Sequence, residues 1–301
     1  MKAVVFVNDQ RMEIIIQRLR SAGIQVQEGR CEKDMEQIER MAGRIDLVIL
    51  PIQGVSDDGF IELKKRGYCM KAFFAALRKE TLIFTGVITP YIKKLPQTVI
   101  SLLAREEVIS ANAALTAEGI LAMIIQNTPR SLVEYRYDVI GFGHCGRAIA
   151  QLLDCLKLKV RIVSAHSHPE CADLPYDFIS LLQWQFQQPW PVVINTAPVE
   201  VISDAMVALW QDKPLIIDIA SRAAGVNERV YKRKDIQVIA APPLPGLVAW
   251  QSAGEILADV ILKEVKDEIV MGNVRIILQS CRGVRTAAGY GAALADHDDC
   301  Q

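Results

Sequence analysis

The segment from Tyr137 to Leu156 constrains the fold more than any other part of the chain. A strand-like stretch, Tyr137-Asp138-Val139-Ile140, runs into Gly141-Phe142-Gly143-His144-Cys145-Gly146, after which Ile149, Leu152, Leu153 and Leu156 recur at helical spacing. A Gly-x-Gly-x-x-Gly run is weak alone, but between a strand and a helix it reads as the phosphate-binding turn of a dinucleotide-binding unit. The first glycine permits a tight turn, the second lets backbone approach a pyrophosphate, and the third lets helix pack closely on strand. The helix N-terminus offers free N–H groups and a positive dipole end to the anion. Gly141, Phe142, Gly143, His144, Cys145, Gly146 and Arg147 are therefore candidate cofactor contacts.

Sites that prefer NAD place an acid at the end of the second strand, about 20 residues on, against the ribose 2′-hydroxyl. Here that strand ends Ile162-Val163-Ser164-Ala165-His166-Ser167-His168, with no acid. Hydroxyl and imidazole groups tolerate a 2′-phosphate that a carboxylate would repel. The residues favour NADP over NAD, with Ser164 and His166 as contacts. His166, His168 and Cys171 are three possible metal ligands, but no fourth group stands at a familiar spacing, so no metal is expected.

Ligands of open α/β sheets bind outside the carboxyl ends of the strands. Three more segments belong there: Ile194-Asn195-Thr196, Asp218-Ile219-Ala220-Ser221-Arg222, and Pro242 to Val248. Asn195, Thr196 and Asp218 are candidate cofactor contacts. Arg222 suits a substrate carboxylate, which its guanidinium can grip as a fork.

The whole chain alternates strand and helix patterns, which favours parallel, doubly wound sheets. Strands are expected at 2–7, 24–26, 46–51 and 82–87, and helices at 10–22, 33–42 and 69–79. A long helix at 105–127, closed by Pro129, suits a connection between domains. The second alternation has strands at 137–141, 159–164, 191–195, 214–219 and 236–240, then a helix at 252–271. The division is 1–129, 130–272 and a tail, 273–301, in which 274–278 reads as strand and the rest as poorly ordered.

Seven scattered cysteines without a Cys-x-x-Cys pair suit reduced thiols in a cytosolic protein. A net charge of −1 gives no field to hold nucleic acid. No uninterrupted apolar run reaches the roughly 18–20 residues of a membrane span, and no signal peptide is read at the start. A cytoplasmic location is expected.

In order and spacing, several segments together resemble the A subunits of bacterial dipicolinate synthases. They are Pro51 to Gly54, Thr116-Ala117-Glu118-Gly119, the glycine turn, Ile194-Asn195-Thr196, Asp218 to Arg222 with Gly225, and Leu244 to Ala249 leading to Ala253-Gly254. The resemblance covers roughly 1–268. It implies a flavodoxin-like N-terminal domain before the Rossmann-type domain, and oxidation of dihydrodipicolinate to dipicolinate with a nicotinamide cofactor in sporulating cells. It further implies partnership with a flavoprotein-like B-type subunit; the chain is also compatible with a homo-oligomer. The chain departs from the family pattern at Ala223-Ala224, at Pro243 and at Trp250-Gln251-Ser252, where the family has Pro-Lys-Thr. Losing that lysine removes a cation that would hold a substrate carboxylate.

For such a dicarboxylate, Ser221, Arg222, Gln251, Ser252 and backbone near Gly54 and Gly246 are candidate binding groups. Glu118 and His144 are candidate bases. Two other readings fit the same plan: a 2-hydroxy-acid or amino-acid dehydrogenase, and a non-catalytic protein that senses dinucleotide or serves assembly. Against the first, 242–254 has no histidine.

Overall fold

The computed structural model describes residues 1–166, 168, 173–220 and 225–287, with side chains as far as 268. Met1–Ala258 form one compact unit, and a second begins at Asp259. In chain order the first half carries β1 (Lys2–Phe6), α1 (Gln10–Ser21), β2 (Gln25–Gly29), α2 (Glu32–Met41), β3 (Leu47–Ile49), β4 (Phe60–Leu63), β5 (Arg66–Cys69), α3 (Lys71–Ala76), β6 (Leu82–Thr85) and β7 (Thr98–Ser101). Helix α4 spans Glu106–Asn127. Strands β1, β2, β3, β6 and β7 form one parallel sheet, ordered β2-β1-β3-β6-β7. That is the flavodoxin-like order. Its central strands β1, β3 and β6 are apolar on both faces, as buried parallel strands are: Val4, Phe6, Val48 and Ile83 join Met35, Ile38 and Phe73 in one core.

The second half carries β8 (Arg136–Ile140), α5 (His144–Cys155), β9 (Lys159–Ser164), β10 (Asp177–Ser180), α6 (Leu181–Trp184), β11 (Val192–Asn195), α7 (Asp204–Leu209), β12 (Leu215–Asp218), α8 (Glu228–Tyr231), β13 (Gln237–Ala240), α9 (Pro245–Val248) and α10 (Trp250–Ala287). Its parallel sheet runs β10-β9-β8-β11-β12-β13, the order of a dinucleotide-binding Rossmann sheet. Buried Asp138 helps hold it: the carboxylate accepts from Arg161 Nε at 2.7 Å, Trp184 Nε1 at 2.8 Å and the Trp190 amide at 2.9 Å. Burying a charge is tolerable when it is paired and hydrogen-bonded in this way.

Helix α4 is long and apolar enough to cross a membrane by length and composition, although Glu118 interrupts its apolar run. Here its Ala117, Ile120 and Ile124 pack into the core shared by α5 and the second sheet. That buried stripe accounts for its apolar character.

Two readings from sequence change. The segment 274–278 is helical, because α10 continues through Gly272 and on to Ala287. One interior glycine costs a helix only about 1 kcal/mol. The helix expected over 69–79 shortens to Lys71–Ala76, because an antiparallel hairpin, β4–β5, takes the residues before it. Its turn residues Lys64 and Lys65 have φ of 50° and 65°. Left-handed backbone costs a non-glycine residue roughly 1–2 kcal/mol, and such two-residue turns usually use Asn-Gly.

Candidate functional site

The glycine turn joins β8 to α5 with each glycine in a different setting. Gly141 has φ +92°, and a Cβ there would run into Thr196 Oγ1. A Cβ on Gly146 would overlap the Gly141 carbonyl. Around Gly143 no atom lies within 4 Å of a built Cβ. The first and third glycines thus serve close packing, while the second, at the N-cap of α5, faces open space where backbone can meet a ligand. The turn is pinned from both sides: the Gly141 amide donates to Val163 O at 2.8 Å, and the Thr196 hydroxyl to Ile140 O at 2.8 Å.

Phe142 is buried, its ring 5.2 Å from His168 and 5.4 Å from Phe178. Arg147 lies over that ring at 4.6 Å, and its Nε donates to Phe142 O at 3.0 Å. Cys145 follows in the first turn of α5, where burial pushes its thiol pKa up. A raised pKa keeps it a neutral thiol, which argues for packing over nucleophilic chemistry. His144 is half exposed, with Nδ1 3.8 Å from Glu106 Oε1.

At the end of β9, Ser164 Oγ accepts from the His166 amide at 3.2 Å and lies 3.0 Å from His168 Nε2. One hydroxyl therefore ties both histidines to the strand end beside the glycine turn. Among the described residues, no group of three His, Cys, Asp or Glu side chains could hold a metal. Cys171, Ser221 and Arg222 lie outside the described residues.

Asn195 and Asp218 end β11 and β12 and are both buried. Asn195 Nδ2 donates to Asp218 Oδ1 at 2.8 Å, and its Oδ1 accepts from the Ala197 amide at 3.1 Å. Asp218 also accepts from the Ala220 amide at 3.1 Å and from Tyr231 Oη at 2.6 Å. These side chains brace the strand ends beneath Thr196. Burial, then the Asp218 carboxylate, raise the Tyr231 phenol pKa well above its usual range.

Glu118 is exposed on α4 and lines a cavity of about 240 Å³ with Ala148, Gln151, Leu152 and Cys155 of α5. Gly246 is a packing position: a Cβ there would lie 2.9 Å from Arg11 Cζ. Similarly, a Cβ on Gly119 would lie 2.9 Å from Leu244 Cβ. Gln251 and Ser252 are exposed at the start of α10, and Gln251 Nε2 donates to Glu255 at 3.3 Å. Gly54 lies in the first half of the chain, after β3, with φ +78°.

Sequence reasoning missed Arg11 and Tyr231. Arg11 is only 8% exposed and held by Asp9 through Nη2–Oδ2 at 2.6 Å. The available signal was an arginine set into the buried stripe of α1 beside Met12 and Ile15. Tyr231 carried no local signal.

Residues 8–101 match the family model of the N-terminal domain of the dipicolinate synthase A subunit. The A subunit of dipicolinate synthase from Bacillus subtilis is 26% identical over 232 residues, covering 73% of this chain and 77% of the relative. The crystal structure of the dipicolinate synthase A subunit from Bacillus halodurans superposes with a TM-score of 0.77 at 26% identity, over 87% of this chain and 97% of that one. D-lactate dehydrogenase from Lactobacillus jensenii, solved with NAD+, shares the fold with a TM-score of 0.54 at 13% identity, over 87% and 95% of the two chains. The resemblance to dipicolinate synthase A subunits drawn from the motifs is borne out, and the fold is that of a dehydrogenase.

Proposed function

We propose that this chain oxidises dihydrodipicolinate to dipicolinate, with NADP as the preferred acceptor, in partnership with a flavoprotein-like B-type subunit. The observation that carries the dinucleotide reading is the open space at Gly143 on the N-terminus of α5, between two glycines committed to packing. The amide groups of His144, Cys145 and Gly146 would hold the diphosphate there. Ser164, with the histidines it ties, would meet the adenosine ribose. A nicotinamide cofactor held there would supply the acceptor for the hydride that leaves one ring carbon of the substrate, while the proton from the adjacent carbon passes to a base of the chain or to water.

Aromatisation favours that step, so the chain's main task is orientation. Thr196 backs the turn, and Asn195 and Asp218 hold it rigid. His144 and Glu118 are the candidate proton acceptors. Ser221, Arg222, Gln251 and Ser252 are the candidate substrate contacts in the second half of the chain.

The test mixes purified protein with enzymatically generated dihydrodipicolinate and NADP, with and without a B-type subunit. Dipicolinate and reduced cofactor should appear together. Absence of both under either condition contradicts the proposal, and dinucleotide binding without turnover favours a sensing or assembly role.

A further inference from the structure

A cavity of about 440 Å³ lies in the first half of the chain, lined by Asn8, Pro51, Gln53, Gly54, Glu62, Lys64 and Lys65. Its walls come from the loops after β1 and β3 and from the β4–β5 hairpin. Strands β1 and β3 are neighbours in the order β2-β1-β3-β6-β7, and the chain leaves β1 outward to β2 but leaves β3 the opposite way, to β6. This is the topological switch point, where open α/β sheets bind ligands.

Two features there go beyond topology. Lys64 and Lys65 both sit in left-handed backbone and are exposed, and neither makes an ion pair among the described residues. Strain of that kind persists where surrounding structure imposes it, often at ligand sites. Asn8 Nδ2 donates to Gln53 Oε1 at 2.8 Å, tying together the loops after β1 and β3. Glu62 offsets one lysine, leaving the cavity net positive.

We infer that this cavity is a carboxylate-binding site in which Lys64 and Lys65 hold a carboxylate of the dicarboxylate substrate. The inference rests on the function proposed above.

The test compares the wild-type chain with the K64N/K65G variant by calorimetric titration with pyridine-2,6-dicarboxylate and with glutarate, NADP being present. The variant removes both cations and installs the usual turn pair, so its melting temperature should rise, which also reports that it folds. Affinity for pyridine-2,6-dicarboxylate should fall at least tenfold. Equal affinity in both proteins overturns the inference and leaves the oxidation reading standing. Lysine-dependent binding of glutarate without binding of pyridine-2,6-dicarboxylate overturns the assignment of the site to the dicarboxylate substrate and leaves the oxidation reading to the turnover assay. No binding of either by the wild type overturns the site.

Discussion

Asn195 Nδ2 donates to Asp218 Oδ1 across 2.8 Å, tying the last residue of β11 to the last residue of β12. Asp218 takes two further bonds, from the Ala220 amide and Tyr231 Oη. Leaving a buried donor without its partner costs about 1–3 kcal/mol. Asp218→Ala should therefore destabilise by about 3 kcal/mol, and Tyr231→Phe by about 1 kcal/mol, in urea unfolding.

The same network makes stability pH-dependent. The Tyr231 phenol pKa is raised above the usual 10.0 by burial and then by Asp218, and that of Tyr137 is pushed up to about 12, mainly by burial. Both phenols ionise more readily unfolded than folded, so their contribution is complete below about pH 10 and is lost as pH rises through the folded values. Unfolding midpoints should fall above pH 10, and less steeply in Tyr231→Phe. Superimposable pH profiles for the two proteins would remove Tyr231 from the explanation.

Gly246 and Gly119 give the segments around them their close fit. Gly246→Val would push a side chain into the Arg11 guanidinium, and Gly119→Val into Leu244. Overpacking of this kind costs roughly 1–3 kcal/mol. Thermal denaturation should show both variants melting lower than the wild type.

Cofactor choice should lie with Ser164. Ser164→Asp keeps an acceptor for the His166 amide but places a carboxylate where a 2′-phosphate would come. Its NADP affinity should drop relative to NAD by tenfold or more. An unchanged ratio in calorimetric titration would mean that this strand end does not read the 2′ position.

The glycine turn and five of the six strands of the second sheet were legible because strand, turn and helix follow one another in sequence, so the local pattern carries the geometry; the edge strand β10 was not read. The β4–β5 hairpin was not, because Lys64 and Lys65 stand where turn chemistry expects Asn-Gly. Arg11 and Tyr231 acquire their roles from contacts with distant parts of the chain, Gly246 and Asp218, which no window along the sequence reveals. The same holds for Glu118: a carboxylate in a family-like motif was legible, but its place beside Ala148 and Gln151 of α5 is set by how α4 packs on α5.

The central claim is that the backbone at Gly143 receives a dinucleotide diphosphate, and alanine there tests it directly. Gly143→Ala meets no atom within 4 Å and, as an N-cap change worth about 1 kcal/mol, should melt only a few degrees below the wild type, whereas Gly146→Ala overlaps the Gly141 carbonyl and should melt lower still. Calorimetric titration with NADP should then show Gly143→Ala binding at least tenfold more weakly than the wild type. A folded Gly143→Ala protein that binds NADP as tightly as the wild type would contradict the account.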